Sequence, residues 1–135
     1  MVNFLRETIE SIGETNHSEQ DVMFVGSADG EYRVSWDKFK EISNFEYDNG
    51  YGGQEVAYDL IVYFKDGSWL ERYEYDGSER WYFVGLKNFR EDDDYKGFDN
   101  VIGNGYWESL RGINKWKLDF YSRLGGLELW CIAYI

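Results

Sequence analysis

The sequence has no proline, one cysteine and one histidine among its 135 residues. A lone cysteine excludes a disulfide within the chain, which is typical of proteins of a reducing cytoplasm. One cysteine and one histidine also cannot form a closed zinc site of thiolate and imidazole ligands. Because proline is absent, turns must be built by glycine, aspartate and asparagine. No apolar run approaches the ~20 residues that a membrane-spanning helix needs.

Basic residues are also scarce, with 14 Lys and Arg against 26 Asp and Glu, for a net charge of −12. Most of this charge lies in residues 1–84, which carry 18 acidic and 7 basic side chains, net −11. Such a potential disfavours binding to nucleic acid or anionic membrane and favours basic partners. An even coat of charge for solubility would not need this asymmetry. We therefore expect a partner with a basic surface, such as a protein that itself holds nucleic acid.

Aromatic residues are abundant, at 20% of the chain, beside 43% hydrophobic and 30% charged residues. This balance is typical of a globular protein, and the length predicts a single domain over residues 1–135. Aromatic side chains favour β-strands and dominate both cores and interfaces. The composition therefore predicts strands rich in aromatic residues.

Apolar residues at helical spacing over 2–12 predict an N-terminal helix, with Asn3 as its N-cap. Ser35 is the expected N-cap of a second short helix, whose inner side lies within residues 36–42. A further short helix is expected around residues 107–110. These helices are few and short, so strands must supply most of the regular structure.

Asp-Gly pairs at 29–30, 66–67 and 76–77 separate runs in which apolar and polar residues alternate. Asp-Gly suits the type I′ turn of a β-hairpin, because both central residues of that turn have positive φ. The pattern predicts an antiparallel meander and hence an α+β fold. The predicted strands cover residues 21–25, 32–34, 56–64, 69–75, 80–84, 116–120 and, as a buried strand after a Gly125-Gly126 turn, 127–135.

Candidate catalytic groups are few. His17 lies in a polar loop with no activated nucleophile near it in sequence, so we interpret it as a solvated residue. Cys131 lies in the most apolar segment, where a thiol is inert. Residues 91–99 form an acidic loop, which is either a solvated turn or a weak cation site; Lys96 occupies a position where an EF-hand needs an oxygen ligand. We therefore expect no enzyme activity, no cofactor and no metal site.

Acidic and aromatic residues interleave most densely in the predicted hairpin at 68–82. Spaced carboxylates on a rigid sheet can imitate the phosphates of a nucleic acid, and tyrosines can anchor a protein partner. The alternative is a half-buried sheet whose acids keep it soluble and protect its edges. The candidate partner-binding residues are Glu71, Tyr73, Glu74, Tyr75, Asp76 and Glu79.

Three stretches of the chain resemble small uncharacterised proteins of bacteriophages and prophages. They are SWDKF at 35–39, YGGQEVA at 51–57 and DGSWLERYEYDGSERW at 66–81, within the segment 35–84. The resemblance implies a phage context and no particular catalytic residues. In size, acidity and lack of a motif the chain is also similar to anti-CRISPR proteins and to DNA-mimic inhibitors of restriction enzymes.

The expected function is that of a non-enzymatic, phage-type inhibitor in the cytoplasm of the bacterial host. Its expected partner is a basic host protein that binds nucleic acid, such as a CRISPR effector. One alternative is an immunity or antitoxin-like protein that binds one cognate toxin. Others are a structural phage protein and an enzyme or carbohydrate-binding module that uses exposed Trp and Tyr residues.

Overall fold

The computed structural model describes residues 1–50, 52–85 and 95–115, and these form an α+β fold as the sequence predicts. Helical residues 110–115 follow the last described strand. The other elements, in chain order, are β1 (Val2–Asn3), α1 (Phe4–Glu14), a 3-10 turn (Glu19–Asp21), β2 (Val22–Ser27), β3 (Arg33–Val34), α2 (Trp36–Ser43), β4 (Glu46–Tyr47), β5 (Leu60–Phe64), β6 (Trp69–Tyr75) and β7 (Ser78–Val84).

Several sequence predictions fall outside the described residues. They are the strands at 116–120 and 127–135, the Gly125-Gly126 turn, the burial of Cys131 and the conformation of the acidic loop at 91–94.

The main sheet has five antiparallel strands in the order β3-β2-β5-β6-β7. The last three strands form the meander that the sequence predicts. β2 pairs with β5 although α2 and β4 lie between them in the chain. Because no hairpin turn joins these two strands directly, their pairing could not be predicted from a turn motif. β1 and β4 form a separate two-stranded antiparallel sheet, which the sequence analysis missed.

Both long helices begin where the sequence predicts. The Asn3 side chain accepts a hydrogen bond from the Arg6 amide at 2.9 Å, and Ser35 Oγ accepts one from the Lys38 amide at 3.1 Å. These bonds satisfy amides that a helix N-terminus leaves unpaired. Phe4 of α1 and Phe39 of α2 are fully buried in one core with the inner side of the sheet.

The strand predicted over 56–64 begins only at Leu60. The chain turns before it, because the Leu60 amide bonds to the carbonyl of Ala57 at 3.2 Å. Val56 forms an isolated bridge with Ile102 instead, so this segment pairs with a distant loop. Alternation in sequence does not distinguish a continuous strand from such a local pairing.

The three Asp-Gly turns are not alike. Asp76 and Gly77 have φ of 53° and 84°, as a type I′ turn requires. At the turns of residues 29–30 and 66–67 only the glycine has positive φ, so the type I′ expectation is wrong there. In those turns the aspartate side chain accepts a backbone amide two residues later, from Glu31 at 3.0 Å and Ser68 at 2.9 Å.

His17 is not the solvated residue that the sequence predicts. Its side chain is only 12% exposed and stacks on Phe64, with ring centroids 4.0 Å apart. Nε2 lies 2.8 Å from Oδ2 of Asp66, and Nδ1 lies 2.9 Å from the carbonyl oxygen of Thr15. His17 therefore ties the end of α1 to the turn between β5 and β6.

Replacing Asp66 with Asn is expected to destabilise the fold at neutral pH but not in strong acid. Hydrogen bonds from the Ser68 hydroxyl and amide, and then from His17, lower the pKa of Asp66 from 3.8 to about 2. A carboxylate whose pKa is lowered by folding stabilises the folded state above its unfolded pKa, and this contribution is lost as the pH falls through about 2. Denaturant unfolding between pH 7 and pH 2 measures the difference.

The control for this experiment is Asp37→Asn, at an exposed aspartate whose side chain is 92% accessible. We expect its effect to be small at every pH. An Asp66→Asn deficit that stays constant down to pH 2 would contradict the assignment.

Candidate functional site

The β6–β7 hairpin, which contains all six predicted contact residues, has two unlike faces. The inner face packs on the helices. The outer face consists of Trp69, Glu71, Tyr73 and Tyr75 of β6 with their cross-strand partners Val84, Tyr82, Arg80 and Ser78 of β7. The alternation read from the sequence therefore sorts the β6 residues correctly.

Only part of the outer side of the sheet is accessible. Phe24, Ile61 and Tyr63 of β2 and β5 form a second small buried cluster there, with Trp69 packed against it. β5 is buried along its whole length. Accessibility returns at the far end of β6 and β7, where Tyr73 is 42% exposed. A second open depression lies beside Phe24, where Met23, Arg33 and Tyr95 also line it, so the hairpin is not the whole accessible part of this side.

Tyr73 and Tyr75 lie on the outer face and are exposed by 42% and 72%. The Tyr73 ring packs beside Tyr82 at a centroid distance of 6.0 Å, and the Arg80 guanidinium lies 5.2 Å from the Tyr73 centroid. Tyr73, Tyr75, Ser78 and Arg80 line an open depression of about 300 Å³. The Tyr73 ring is held by these cross-strand neighbours, which reduces the conformational entropy it would lose on binding a partner.

The acidic residues among the predicted contacts do not all lie on the outer face. Glu71 is half-buried on the outer face, where it accepts a hydrogen bond from the indole N–H of Trp69 at 3.2 Å. Asp76 is exposed at the tip of the hairpin. Glu74 belongs to the inner side, and its Oε1 accepts the amide of Gly77 at 2.7 Å, which closes the turn.

The position of Glu79 contradicts the prediction that it is an exposed partner-binding residue. It is 1% exposed, and its carboxylate accepts the amides of Glu55 at 2.7 Å and Val56 at 3.2 Å. It also pairs with Arg72 Nη2 at 2.9 Å. Burial raises the pKa of Glu79, and the two amides and the guanidinium offset part of this rise. Glu79 is therefore a structural residue, and the predicted array of four phosphate-like carboxylates is wrong.

Arg72 is the partner that the sequence analysis missed. Its side chain is fully buried, and besides Glu79 it bonds to Glu7 Oε2 at 3.2 Å and to the hydroxyl of Tyr47 at 3.0 Å. Burial holds the pKa of Tyr47 well above its usual range, so the phenol remains a hydrogen-bond donor to Glu7. One feature of the sequence indicated that Arg72 is buried: the alternation places it on the same strand face as the apolar Leu70.

Aromatic rings complete the pocket around this guanidinium. Arg72 Cζ lies 5.3 Å from the ring centroid of Phe4 and 4.7 Å from that of Trp81. Contacts between a guanidinium and aromatic faces are favourable, and more so when water is excluded. The hairpin is thus fastened to α1 by charge, hydrogen bonds and ring contacts together.

His17 does not form a catalytic triad with its neighbours. Asp66 Oδ2 and Ser68 Oγ both approach Nε2, at 2.8 and 3.4 Å. A nucleophilic triad needs the carboxylate and the hydroxyl on opposite ring nitrogens. Within the described ranges, no group of three or more His, Cys, Asp or Glu residues is placed to hold a metal ion.

Among the helices of the described residues, none has the length and apolar character to cross a membrane. Comparison with protein-family models, with curated proteins and with solved structures found no match.

Replacing Arg72 with Met is expected to cost about 3–5 kcal/mol of unfolding free energy, because Glu79 would stay buried without its counter-charge and half-buried Glu7 would lose its ion-pair partner. Guanidinium chloride unfolding measures the loss. Arg80→Met is the matched control, since Arg80 lies on the same hairpin but is exposed; its cost should stay below ~1 kcal/mol. Equal costs for the two variants would show that the buried pair does not hold the hairpin.

Proposed function

We propose that this protein is a non-enzymatic inhibitor of the phage type, which covers the basic, nucleic-acid-binding surface of a host defence protein, such as a CRISPR effector, in the bacterial cytoplasm. The observation that carries the proposal is the exposed tyrosine group on the outer face of the hairpin. Tyr73, Tyr75 and Tyr82 are accessible by 42%, 72% and 50% and lie on the continuously paired ladder of β6 and β7.

Tyrosine suits a protein contact for physical reasons. It buries a large area with few rotatable bonds, and its hydroxyl keeps a hydrogen-bonding group at the rim of the contact. Binding energy in protein interfaces is concentrated in a few such residues. We assign this anchoring role to Tyr73 and Tyr75.

The acidic residues act differently from the phosphate imitation that the sequence predicts. Glu71 and Asp76 remain near the outer face, whereas Glu79 is buried. The net charge of −12 attracts a basic partner over a distance and speeds association. Charge thus selects the partner and adds a salt-dependent part of the affinity, while the tyrosines anchor the contact.

One observation favours the alternative of an immunity or antitoxin-like protein. Arg80 lines the same depression as Tyr73 and Tyr75. A uniformly basic groove would be repelled by this guanidinium, whereas a toxin with an acidic residue at the centre of its contact surface would pair with it. The two functions differ in how salt affects the affinity. Binding to a basic groove depends on many exposed charge pairs, which salt screens, so its affinity should fall more steeply as the salt concentration rises.

The double variant Tyr73→Ser, Tyr75→Ser is expected to lower the affinity for the partner at least ~10-fold, because two anchors are removed. The measurement is affinity capture from a nuclease-treated bacterial lysate that contains CRISPR and restriction components, with the captured protein identified by mass spectrometry. Its affinity is then measured with the purified partner. Capture should weaken in high salt and in the presence of competing DNA.

Tyr95→Ser is the matched control, since Tyr95 is 46% exposed but lies away from the hairpin in sequence. It should bind like the unchanged protein. Undiminished binding by the double variant would exclude the hairpin as the contact surface. Salt-resistant capture of one protein without nucleic-acid-binding activity would favour the toxin-binding alternative.

A further inference from the structure

A second pair of exposed aromatic residues lies outside the hairpin. Tyr106 and Trp107 are 76% and 54% exposed, in the loop of residues 103–109, which we call the aromatic loop. Trp107 has φ of 54°. A bulky side chain in this left-handed region is an outlier, because its Cβ crowds the backbone. The protein therefore maintains a backbone conformation that is unfavourable for tryptophan.

Hydrogen bonds from neighbouring segments impose this conformation. The Gly103 amide bonds to the carbonyl of Glu55 at 2.8 Å. Glu108 holds the loop at both sides: its side chain accepts the Asn104 amide at 2.7 Å, and its carbonyl accepts the Tyr58 amide at 3.0 Å. Both ends of the loop are therefore fixed to the chain around residues 55–58.

Close backbone packing fixes the middle of the loop. A Cβ added at Gly53 would lie 1.9 Å from the carbonyl oxygen of Gly105 and 3.5 Å from the tip of the Trp107 ring. Only glycine can occupy that position without a backbone shift. The tip of the Trp107 ring therefore lies close to Gly53, while 54% of the residue stays accessible to solvent.

The aromatic loop is continuous with the hairpin. A Cβ added at Gly77 would lie 2.9 Å from the carbonyl oxygen of Gly52, so the hairpin tip touches the same strap, residues 52–56, that supports Trp107. Asp76 at this tip is exposed, and Glu55 in the strap is half-buried. Carboxylates and exposed aromatic rings thus occupy the same end of the molecule.

We propose that the aromatic loop receives an arginine side chain of the partner, with the guanidinium stacked on the Trp107 ring. Tryptophan is the strongest aromatic partner for a cation, and the planar, weakly hydrated guanidinium stacks better than an ammonium group. The exposed carboxylate of Asp76 at the neighbouring hairpin tip and the net charge of −12 on the whole chain complement a basic segment. The proposal deepens the proposed function, on which it rests for the basic character of the partner.

The first test uses the protein alone. The ¹⁵N-labelled protein is titrated with the peptide acetyl-Gly-Ser-Arg-Ser-Gly-amide, and the indole N–H signals of its tryptophans are followed by NMR. The Trp107 signal should shift roughly threefold or more further than that of Trp36, whose indole is bonded to Glu19 at 2.9 Å. A peptide with neutral citrulline in place of arginine should have little effect. Equal shifts with citrulline, or no shift at Trp107, would overturn the proposal.

The second test separates binding from stability with Trp107→Gly. Glycine accepts the left-handed backbone without strain, so the melting temperature should be unchanged or higher. Any shift that the arginine peptide causes in the backbone amide signals of Tyr106 and Glu108 in the unchanged protein should disappear in the variant, and affinity for the partner should fall ~10-fold. Asn16→Gly is the matched control, because Asn16 has a similar φ of 61° in another exposed loop. A clearly lower melting temperature for Trp107→Gly would make Trp107 a structural residue and would refute the proposal.

The results keep the two proposals apart. Arginine binding at Trp107 in the isolated protein, combined with capture that is insensitive to Tyr73 and Tyr75, would exclude the hairpin as the contact surface and keep the loop. Capture that depends on the tyrosines, with no arginine response at Trp107, would keep the hairpin function and reject the loop.

Discussion

Arg72 and Glu79 form an ion pair between adjacent strands, with side chains that are 0% and 1% exposed. A charge buried in this way is tolerable only when it is paired and hydrogen-bonded. Glu79 meets this condition by reaching past the hairpin to two amides of the strap at 52–56, and Arg72 meets it by reaching Glu7 of α1. One interaction thus fixes the hairpin, the first helix and the strap relative to one another.

Both proposed contact surfaces depend on that arrangement. The ion pair fastens the inner face of the hairpin to the core. The tyrosines lie on the opposite face of the same strands, so the ion pair also fixes their position. The strap extends the same support to the aromatic loop, because Gly53 packs directly against Gly105. A rigid display of aromatic groups reduces the entropy lost on binding.

Local patterns predicted the local parts of the fold. Caps at Asn3 and Ser35, alternation along β6 and β7, and the turn at residues 76–77 all depend on neighbours in sequence, and the structure agrees with each. The pairing of β2 with β5 depends on distant residues, so it could not be read from the chain. For the same reason the strand predicted from residue 56 was too long.

The site was predictable only in part. The alternation placed Tyr73 and Tyr75 on one face correctly, but acidic composition alone suggested that Glu79 faces solvent. A charged residue is buried when a specific partner compensates it, and that partner, Arg72, becomes apparent only when both strands are paired. The strain at Trp107 is likewise a tertiary effect, since distant backbone contacts impose it.

Photo-crosslinking of the complex tests the central claim most directly. A benzoylphenylalanine residue is placed at Tyr75, which is 72% exposed on the outer face, and in a second sample at Tyr95, which is 46% exposed elsewhere. The account predicts a crosslink from position 75 to the nucleic-acid-binding surface of the captured partner and none from position 95. A crosslink from position 95 alone would contradict it.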